Sequence, residues 1–153
     1  MQNLLLKTLD SQSKLLFSGK INILLKKNAQ FYAVVFFDQG LIVNVHLQNR
    51  QGKTALFQLI LESYKSSFED NFDLVIEPEL IEKVSKKMQL SYKESLEELE
   101  KYLKSKHPPE NITLEIPTKD LYKIFEEFFP EKSRFLTAIL ILLKKNNCLK
   151  IKN

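Results

Sequence analysis

The side chains that could perform acid–base, nucleophilic or metal chemistry are few and scattered along this sequence. The only histidines are His46 and His107, and the only cysteine is Cys148. Neither histidine has a partner at metal-ligand spacing, and a single cysteine excludes both an internal disulfide and a multi-cysteine zinc site. The segment Gly52-Lys53-Thr54 lacks the earlier glycine of a phosphate-binding loop, so we interpret it as a turn before a helix. We therefore expect a protein that is not an enzyme, with no catalytic residue, no bound metal and no cofactor.

Composition and charge place the chain among ordinary globular proteins. It has 153 residues, of which 44% are hydrophobic and 27% charged, enough for one core without stapling by disulfides. The formal net charge of +4 is carried almost wholly by lysine, and the only arginines are Arg50 and Arg134. Because the charge is spread evenly on both sides of Ile76, its simplest use is solubility. No signal peptide and no apolar run near the roughly 20 residues of a membrane span is present, which predicts a cytoplasmic protein without membrane insertion.

The elements that must position any site alternate between strands and helices in the first half of the chain. Residues 20–25 and 41–47 alternate apolar and polar side chains, which predicts half-buried strands. Residues 31–37 are aromatic and β-branched on both faces, which predicts a central strand. A leucine-rich helix is expected near residues 4–9 with a break at Ser11–Ser13, an apolar-striped helix over 52–63, and another strand over 68–76.

The second half of the chain changes character after Glu77-Pro78. We predict a short helix over 79–87, a longer helix after the capping box that begins at Ser91, and a short strand over 112–116. Further helices and a last strand over 148–151 give an order like that of a winged helix. The predicted fold class is therefore α+β: a small, mainly antiparallel sheet with a packed helix over 1–78, followed by a mostly helical extension over 79–153.

The central strand supplies the best candidate for an interaction surface. Simple alternation places Tyr32, Val34 and Phe36 on the face opposite the remaining apolar residues of that strand, so both faces need cover. A protein partner or a second copy of the chain would bury this patch, with His46 and Arg50 at a polar rim. The alternative, which the sequence leaves open, is that the chain's own second half covers that face.

A second alternative is a DNA-associated regulator that uses the lysines near the end of the chain. These lysines lie at the end of a predicted helix and in the predicted strand after it, and basic groups in such a position can contact phosphates. The helix before them, over 134–143, is nearly all apolar, which favours a core or interface helix over one that reads bases. The candidate phosphate contacts are Lys144, Lys145, Lys150 and Lys152.

Four local patterns occur in register between Phe17 and Pro78. They are Ser18-Gly19 before a strand, Asp38-Gln39-Gly40 between two apolar strands, Gly52-Lys53-Thr54-Ala55-Leu56 at a helix start, and Phe68 followed by Phe72-Asp73-Leu74. In this order and spacing, the segment resembles the DUF4388 (PATAN-like) domain of bacterial signalling proteins.

The resemblance implies a function without catalysis. Such domains look like protein-interaction modules, are often fused to response-regulator receiver domains, and are associated with bacterial motility, polarity and type IV pilus control. The expectation from the resemblance is a cytoplasmic adaptor of bacterial signalling that binds a protein partner or a second copy of itself.

Overall fold

The protein has an α+β architecture in which a five-stranded antiparallel sheet packs against helices in the computed structural model. The helices are α1 (Leu4–Lys14), α2 (Lys53–Ser63), the single turn α3 (Phe68–Asn71) and α4 (Tyr92–Lys104). The strands are β1 (Gly19–Leu25), β2 (Phe31–Asp38), β3 (Leu41–Leu47), β4 (Arg50–Gln51), β5 (Phe72–Pro78), β6 (Leu114–Pro117) and β7 (Leu149–Lys152). The structure describes residues 3–81, 84–104, 114–117, 120, 123–124, 126–127 and 149–152, with the backbone alone for 103–104, 114–117 and 149–152.

The sheet has the strand order β4-β3-β2-β1-β5, and every neighbouring pair is antiparallel. The three strands predicted between residues 20 and 47 are confirmed, and residues 39–40 form a tight turn between β2 and β3. Gly40 ends this turn with a φ of +83°, a left-handed conformation that glycine adopts without strain. The central strand β2 is thus paired on both sides, as its continuous apolar character indicates.

Two β-bulges interrupt the simple alternation of side chains. Ile23 pairs with Ala33 but Leu24 pairs with Phe31, so Tyr32 is an extra residue in β2. Similarly, the register shift between Phe36 and Phe37 makes a residue of β3 extra, because their partners are two positions apart. An extra residue changes the face on which the side chains beyond it lie.

The second bulge corrects the predicted face of β3. The alternation places Leu41 and Val43 on the same face as Val45, but Ile42 is the residue that joins Val45 in the buried core. Val43 is the extra residue, since Phe36 pairs with Asn44 and Phe37 pairs with Ile42. The sequence pattern misses this shift because it assumes an unbroken period of two.

The core lies between the sheet and the helices. The inner face of the sheet contributes Ile21, Ile23, Ala33, Val35, Phe37, Ile42, Val45 and Leu47. Helix α2 is buried almost all round, from Ala55 to Leu61, rather than along one stripe as predicted. The reason is that α4 also packs against α2, with the rings of Tyr102 and Phe57 4.9 Å apart. A helix with neighbours on two sides needs apolar residues around its whole circumference.

Two elements of the first half differ from their predicted bounds. Helix α1 continues to Lys14 through the serines where a break is expected, and Asn3 caps its first turn by accepting a hydrogen bond from the Leu6 amide at 2.9 Å. Phe68 begins the helical turn α3 and not a strand. Glu69 and Asp70 occupy the first turn of α3, where carboxylates are favoured, and the extended chain starts only at Phe72.

The segment after Pro78 is not the helix that the composition predicts. Residues 79–81 and 84–90 are described, and none of them is helical. Their backbone groups instead reach the sheet: the Glu79 amide donates to the Ser18 carbonyl at 3.4 Å, and the Lys87 amide donates to the Val43 carbonyl at 2.8 Å. A distant hydrogen-bond partner for these amides replaces the local i to i−4 pattern.

The capping box at the start of α4 is confirmed. The Glu94 amide donates to Ser91 Oγ and the Ser91 amide donates to Glu94 Oε1, both at 3.1 Å. Leu99 of α4 is fully buried in the same cluster as the inner face of the sheet. Residues before and after Pro78 thus share one buried cluster. The division into two domains at Pro78 stays a prediction.

Strands β6 and β7 pair in parallel, with Leu114 opposite Leu149 and Pro117 opposite Lys152. They agree in position with the strands predicted over 112–116 and 148–151. The apolar helix predicted over 134–145 lies outside the described residues, and with it most of the winged-helix-like order.

Candidate interaction surface

The sheet face that points away from α1 and α2, here called the outer face, is built from two rows of cross-strand neighbours. The first row runs across all five strands through Gln51, His46, Val34, Asn22 and Val75. The second row runs through Asn44, Phe36, Lys20 and Glu77. Neighbours in such rows lie on the same side of a sheet and contact one another. The outer face therefore mixes apolar and polar side chains at its centre.

Phe36 and His46 form the aromatic part of the outer face. Their rings meet edge to face with centroids 4.9 Å apart, and both side chains are half-buried. Val34 lies directly opposite His46 in the ladder between β2 and β3. The structure thus brings together three of the five predicted interface residues: Val34, Phe36 and His46.

Asn44 connects the outer face to the surrounding backbone. Its Oδ1 accepts hydrogen bonds from the amides of Val45 at 2.8 Å and Gly52 at 3.1 Å, and its Nδ2 donates to the Ser85 carbonyl at 2.9 Å. The remaining Nδ2 hydrogen faces His46 Nε2 at 3.3 Å. Because two amides hold the carboxamide in this orientation, Nδ2 is the donor and neutral His46 carries its proton on Nδ1.

Tyr32 and Arg50, the other two predicted residues, lie elsewhere. The bulge in β2 places Tyr32 against the core, with its ring centroid 4.4 Å from that of Phe72. Arg50 pairs with the inward-facing Leu47, and its guanidinium donates to Gln58 Oε1 of α2 at 3.1 Å. The expectation that Tyr32 shares a face with Val34 and Phe36 is wrong, because it assumes a strand without a bulge.

Arg50 instead belongs to a half-buried polar network on α2, whose charges also act on Tyr32. Gln58 Nε2 donates to Glu62 Oε1 at 2.8 Å, and Lys65 pairs with the same carboxylate at 2.7 Å. Burial raises the pKa of Tyr32 to about 12, with a smaller contribution in the same direction from the Glu62 charge, while Arg50 opposes it. This network fastens β4 to α2 and is a structural feature of the helix-covered side.

Charged pairs flank the outer face at one end of the strands. Lys20 Nζ lies 3.7 Å from Glu77 and 3.5 Å from Glu79, and Lys86 Nζ lies 2.7 Å from Asp38 Oδ2. All these side chains are partly exposed, so each pair contributes little to the free energy of unfolding. These pairs place both positive and negative side chains around the mixed centre of the outer face, an arrangement that can orient an approaching molecule.

Asn22 and Asn44 are two buried outer-face residues that sequence reasoning did not single out. Both lie in strands, where asparagine is depleted, and both are almost fully buried, at 2% and 0% exposure. Asn44 is fully bonded, whereas Asn22 Oδ1 has no hydrogen-bond partner among the described residues. The depletion of asparagine in strands is the signal that could have marked these two positions.

A separate concavity of about 620 Å³ lies where the start of α1 meets the end of α2. Its wall includes Glu69, whose carboxylate accepts a hydrogen bond from the Leu4 amide at 2.9 Å, and Ser66, whose amide donates to the buried Asp120 at 3.1 Å. Burial raises the pKa of Tyr64, also in the wall, and the nearby Glu127 adds to this effect. The described lining mixes lysines and glutamates, and among those residues no nucleophile is paired with a base.

The lysines of the DNA-binding alternative fall largely beyond what can be described. Lys144 and Lys145 lie outside the described residues. Lys150 and Lys152 lie in β7, for which only the backbone is described, opposite Glu115 and Pro117 of β6. This alternative stays a prediction.

The sequence matches no family model and no curated protein, and the fold matches no solved structure. Within the described part of the chain, no group of three or more histidine, cysteine, aspartate or glutamate side chains is placed to hold a metal ion. Within the same residues, no helix has both the length and the apolar character to cross a bilayer.

Proposed function

We propose that this chain is a non-enzymatic adaptor that binds a protein partner in bacterial signalling. The supporting observation is the outer face, where Val34 and Phe36 on the central strand adjoin His46 and are flanked by charged pairs of both signs. Interfaces of reversible complexes have this composition: an apolar and aromatic centre within a polar rim, with no more apolar area overall than ordinary protein surface.

The proposed class of partner process, namely motility, polarity or pilus control, rests on the resemblance of Phe17 to Pro78 to DUF4388 domains. The docking residues proposed here are Val34, Phe36 and His46; Tyr32 and Arg50 support the helix-covered side.

The test compares full-length wild type with Phe36→Glu and Val34→Glu. A carboxylate at the centre of the face would be desolvated on docking, so each variant should lose at least tenfold in partner affinity. Proteins retained from the native cytoplasm would be quantified by mass spectrometry, and self-association would be followed by light scattering over a concentration series.

The matched control is Lys27→Glu, which adds the same carboxylate at an exposed turn between β1 and β2. It should bind as the wild type does, and circular dichroism should show that all variants are folded. If Phe36→Glu and Val34→Glu keep both the wild-type partners and the wild-type oligomeric state, the proposal is refuted. Tyr32→Ala is not a suitable probe, because Tyr32 packs against the core.

A further inference from the structure

The edge of β3 beyond its short pairing with β4 is covered by residues 84–90, here called the strap. The amides of Lys87 and Met88 both donate to the Val43 carbonyl, at 2.8 and 3.2 Å. Leu90 exchanges two backbone hydrogen bonds with Ile42, at 3.0 and 2.6 Å. The strap thus occupies a position that an added β-strand would take.

Side chains attach the strap at three points. Lys86 pairs with Asp38 at the end of β2, and the side chains of Met88 and Leu90 are buried against the core cluster. Lysine, methionine and leucine are spaced two residues apart along the strap, and the last two of them are buried against the core. Lys87 and Gln89, which lie between them, and Ser85, which precedes them, are exposed.

The strap is a poor substitute for a regular strand. Its pairing with β3 amounts to one isolated bridge, between Ile42 and Leu90. The Val43 carbonyl receives two donors, so the hydrogen-bonding groups are not matched one to one. The Lys86–Asp38 pair is partly exposed and therefore weak. A strand with a continuous ladder would make more regular bonds along the same edge.

The strap is also contiguous with the outer face. Asn44 donates one amide hydrogen to the Ser85 carbonyl of the strap and directs the other at His46 Nε2. A ligand that replaces the strap along β3 would therefore adjoin His46 and Phe36. The edge and the outer face form one continuous surface.

We propose that the strap is an intramolecular stand-in for an extended segment of the protein partner, which adds to the β3 edge when the strap leaves. The segment carries a basic residue followed by two apolar residues at alternate positions, the pattern of Lys86, Met88 and Leu90. Backbone groups of Ile42 and Val43 supply affinity, and Asp38 selects the basic residue. This inference rests on the proposed function, since it names the chemistry of the partner and the contact that regulates its access.

The strap competes with any segment added from solution. Because it is tethered to the same chain, its local concentration is of the order of millimolar or higher. The wild type therefore binds a free segment weakly. A change that releases the strap removes this competition and raises the apparent affinity of the protein for the free segment.

The experiment uses a fluorescent peptide with the sequence of residues 84–90 and measures its anisotropy on titration with full-length protein. Lys86→Glu places a carboxylate beside Asp38 and so repels the strap, while the peptide retains its own lysine for that contact. Both side chains are partly exposed, so the core is untouched. Lys86→Glu should bind the peptide about three- to fivefold more tightly than the wild type, because the ion pair that it replaces with repulsion is partly exposed.

The matched control is Lys87→Glu, the same change of charge at the next residue, whose side chain is exposed. It should bind the peptide as the wild type does. A peptide with aspartate at the position of Met88 should bind at least tenfold more weakly to Lys86→Glu. Equal affinity of the three proteins for the peptide, or equal affinity of the two peptides for Lys86→Glu, would overturn the inference.

The outcome is separable from that of the proposed function. The peptide titration involves no native partner and leaves Phe36 and Val34 intact. If the outer-face variants keep their native partners while Lys86→Glu gains affinity for the peptide, the proposal for the outer face is refuted and the proposal for the β3 edge is supported. If the outer-face variants lose their partners while the peptide affinities are equal, the strap proposal alone fails.

Discussion

Replacing Asn44 with alanine should loosen the join between β3, the start of α2 and the strap. Asn44 is fully buried, and its carboxamide accepts from the Gly52 amide and donates to the Ser85 carbonyl. Its hydrogen bond with the Val45 amide is local and holds no distant element. The bonds to Gly52 and Ser85 are therefore the ones whose loss detaches β3 from the start of α2 and from the strap.

The expected loss of unfolding free energy follows from these contacts. Each of the two long-range hydrogen bonds contributes about 1 kcal/mol. The cavity left by the truncated carboxamide costs roughly another 1 kcal/mol. The Gly52 amide keeps a second acceptor, the Val45 carbonyl at 3.1 Å, and Ser85 is exposed, so neither group is left buried without a partner. Because the buried Val45 amide also loses its Oδ1 acceptor, we expect a total loss of about 3 kcal/mol or more, which lowers the melting temperature by about 10 °C or more.

Urea unfolding monitored by circular dichroism measures the free energy, and hydrogen exchange of the Lys87 and Leu90 amides reports on the strap. Asn49→Ala, at an exposed asparagine in the following turn, should remain within about 0.5 kcal/mol of the wild type. A loss below about 1 kcal/mol for Asn44→Ala, with unchanged exchange in the strap, would refute the reasoning.

Three further outcomes are expected. Gly40→Ala should lose about 2 kcal/mol or more, because φ is +83° and a Cβ would stand 2.5 Å from a backbone oxygen; urea midpoints equal to the wild type would contradict this. Ser91→Ala should lose about 1 kcal/mol with the capping box, whereas Ser11→Ala, at an exposed helix position, should not; equal losses would argue against the box. Tyr32→Phe should remove the tyrosine that ionises near pH 12 in an absorbance titration, since burial and Glu62 raise its pKa from 10.0. Because the unfolded chain releases this proton first, stability falls as pH rises from about 10 to 12, and the variant should lose less over that range; superimposable titrations would exclude this assignment.

The local elements of the first half were predictable because their patterns are local. The strands over 20–25 and 41–47 and the helix over 52–63 each carry a hydrophobic period, and the strand over 31–37 is a continuous run of aromatic and β-branched residues. Neither signal needs a distant partner to be recognised. The capping box at Ser91 is likewise complete within four residues. Phe68 was misassigned because an aromatic residue next to an alternating segment fits a strand as well as a short helical turn.

The candidate surface was predictable only in part. Val34, Phe36 and His46 lie together, as the alternation of their strands indicates. Tyr32 lies with the core because an extra residue in β2 is required by the pairing of β1 with β2, and a single strand's sequence carries no mark of it. The roles of Asn44 and the strap depend on hydrogen bonds between residues more than 40 positions apart, beyond the reach of any local pattern.

The sequence by itself determined the α+β class, the strands β1, β2 and β3, the helix α2 and the scarcity of catalytic side chains. These follow from residue type and spacing alone. The tertiary structure decided which face each strand residue occupies and that residues 84–90 line the β3 edge instead of forming a helix. The physical reason is that strand register and edge pairing are set by hydrogen bonds between distant segments, so they exist only once those segments meet.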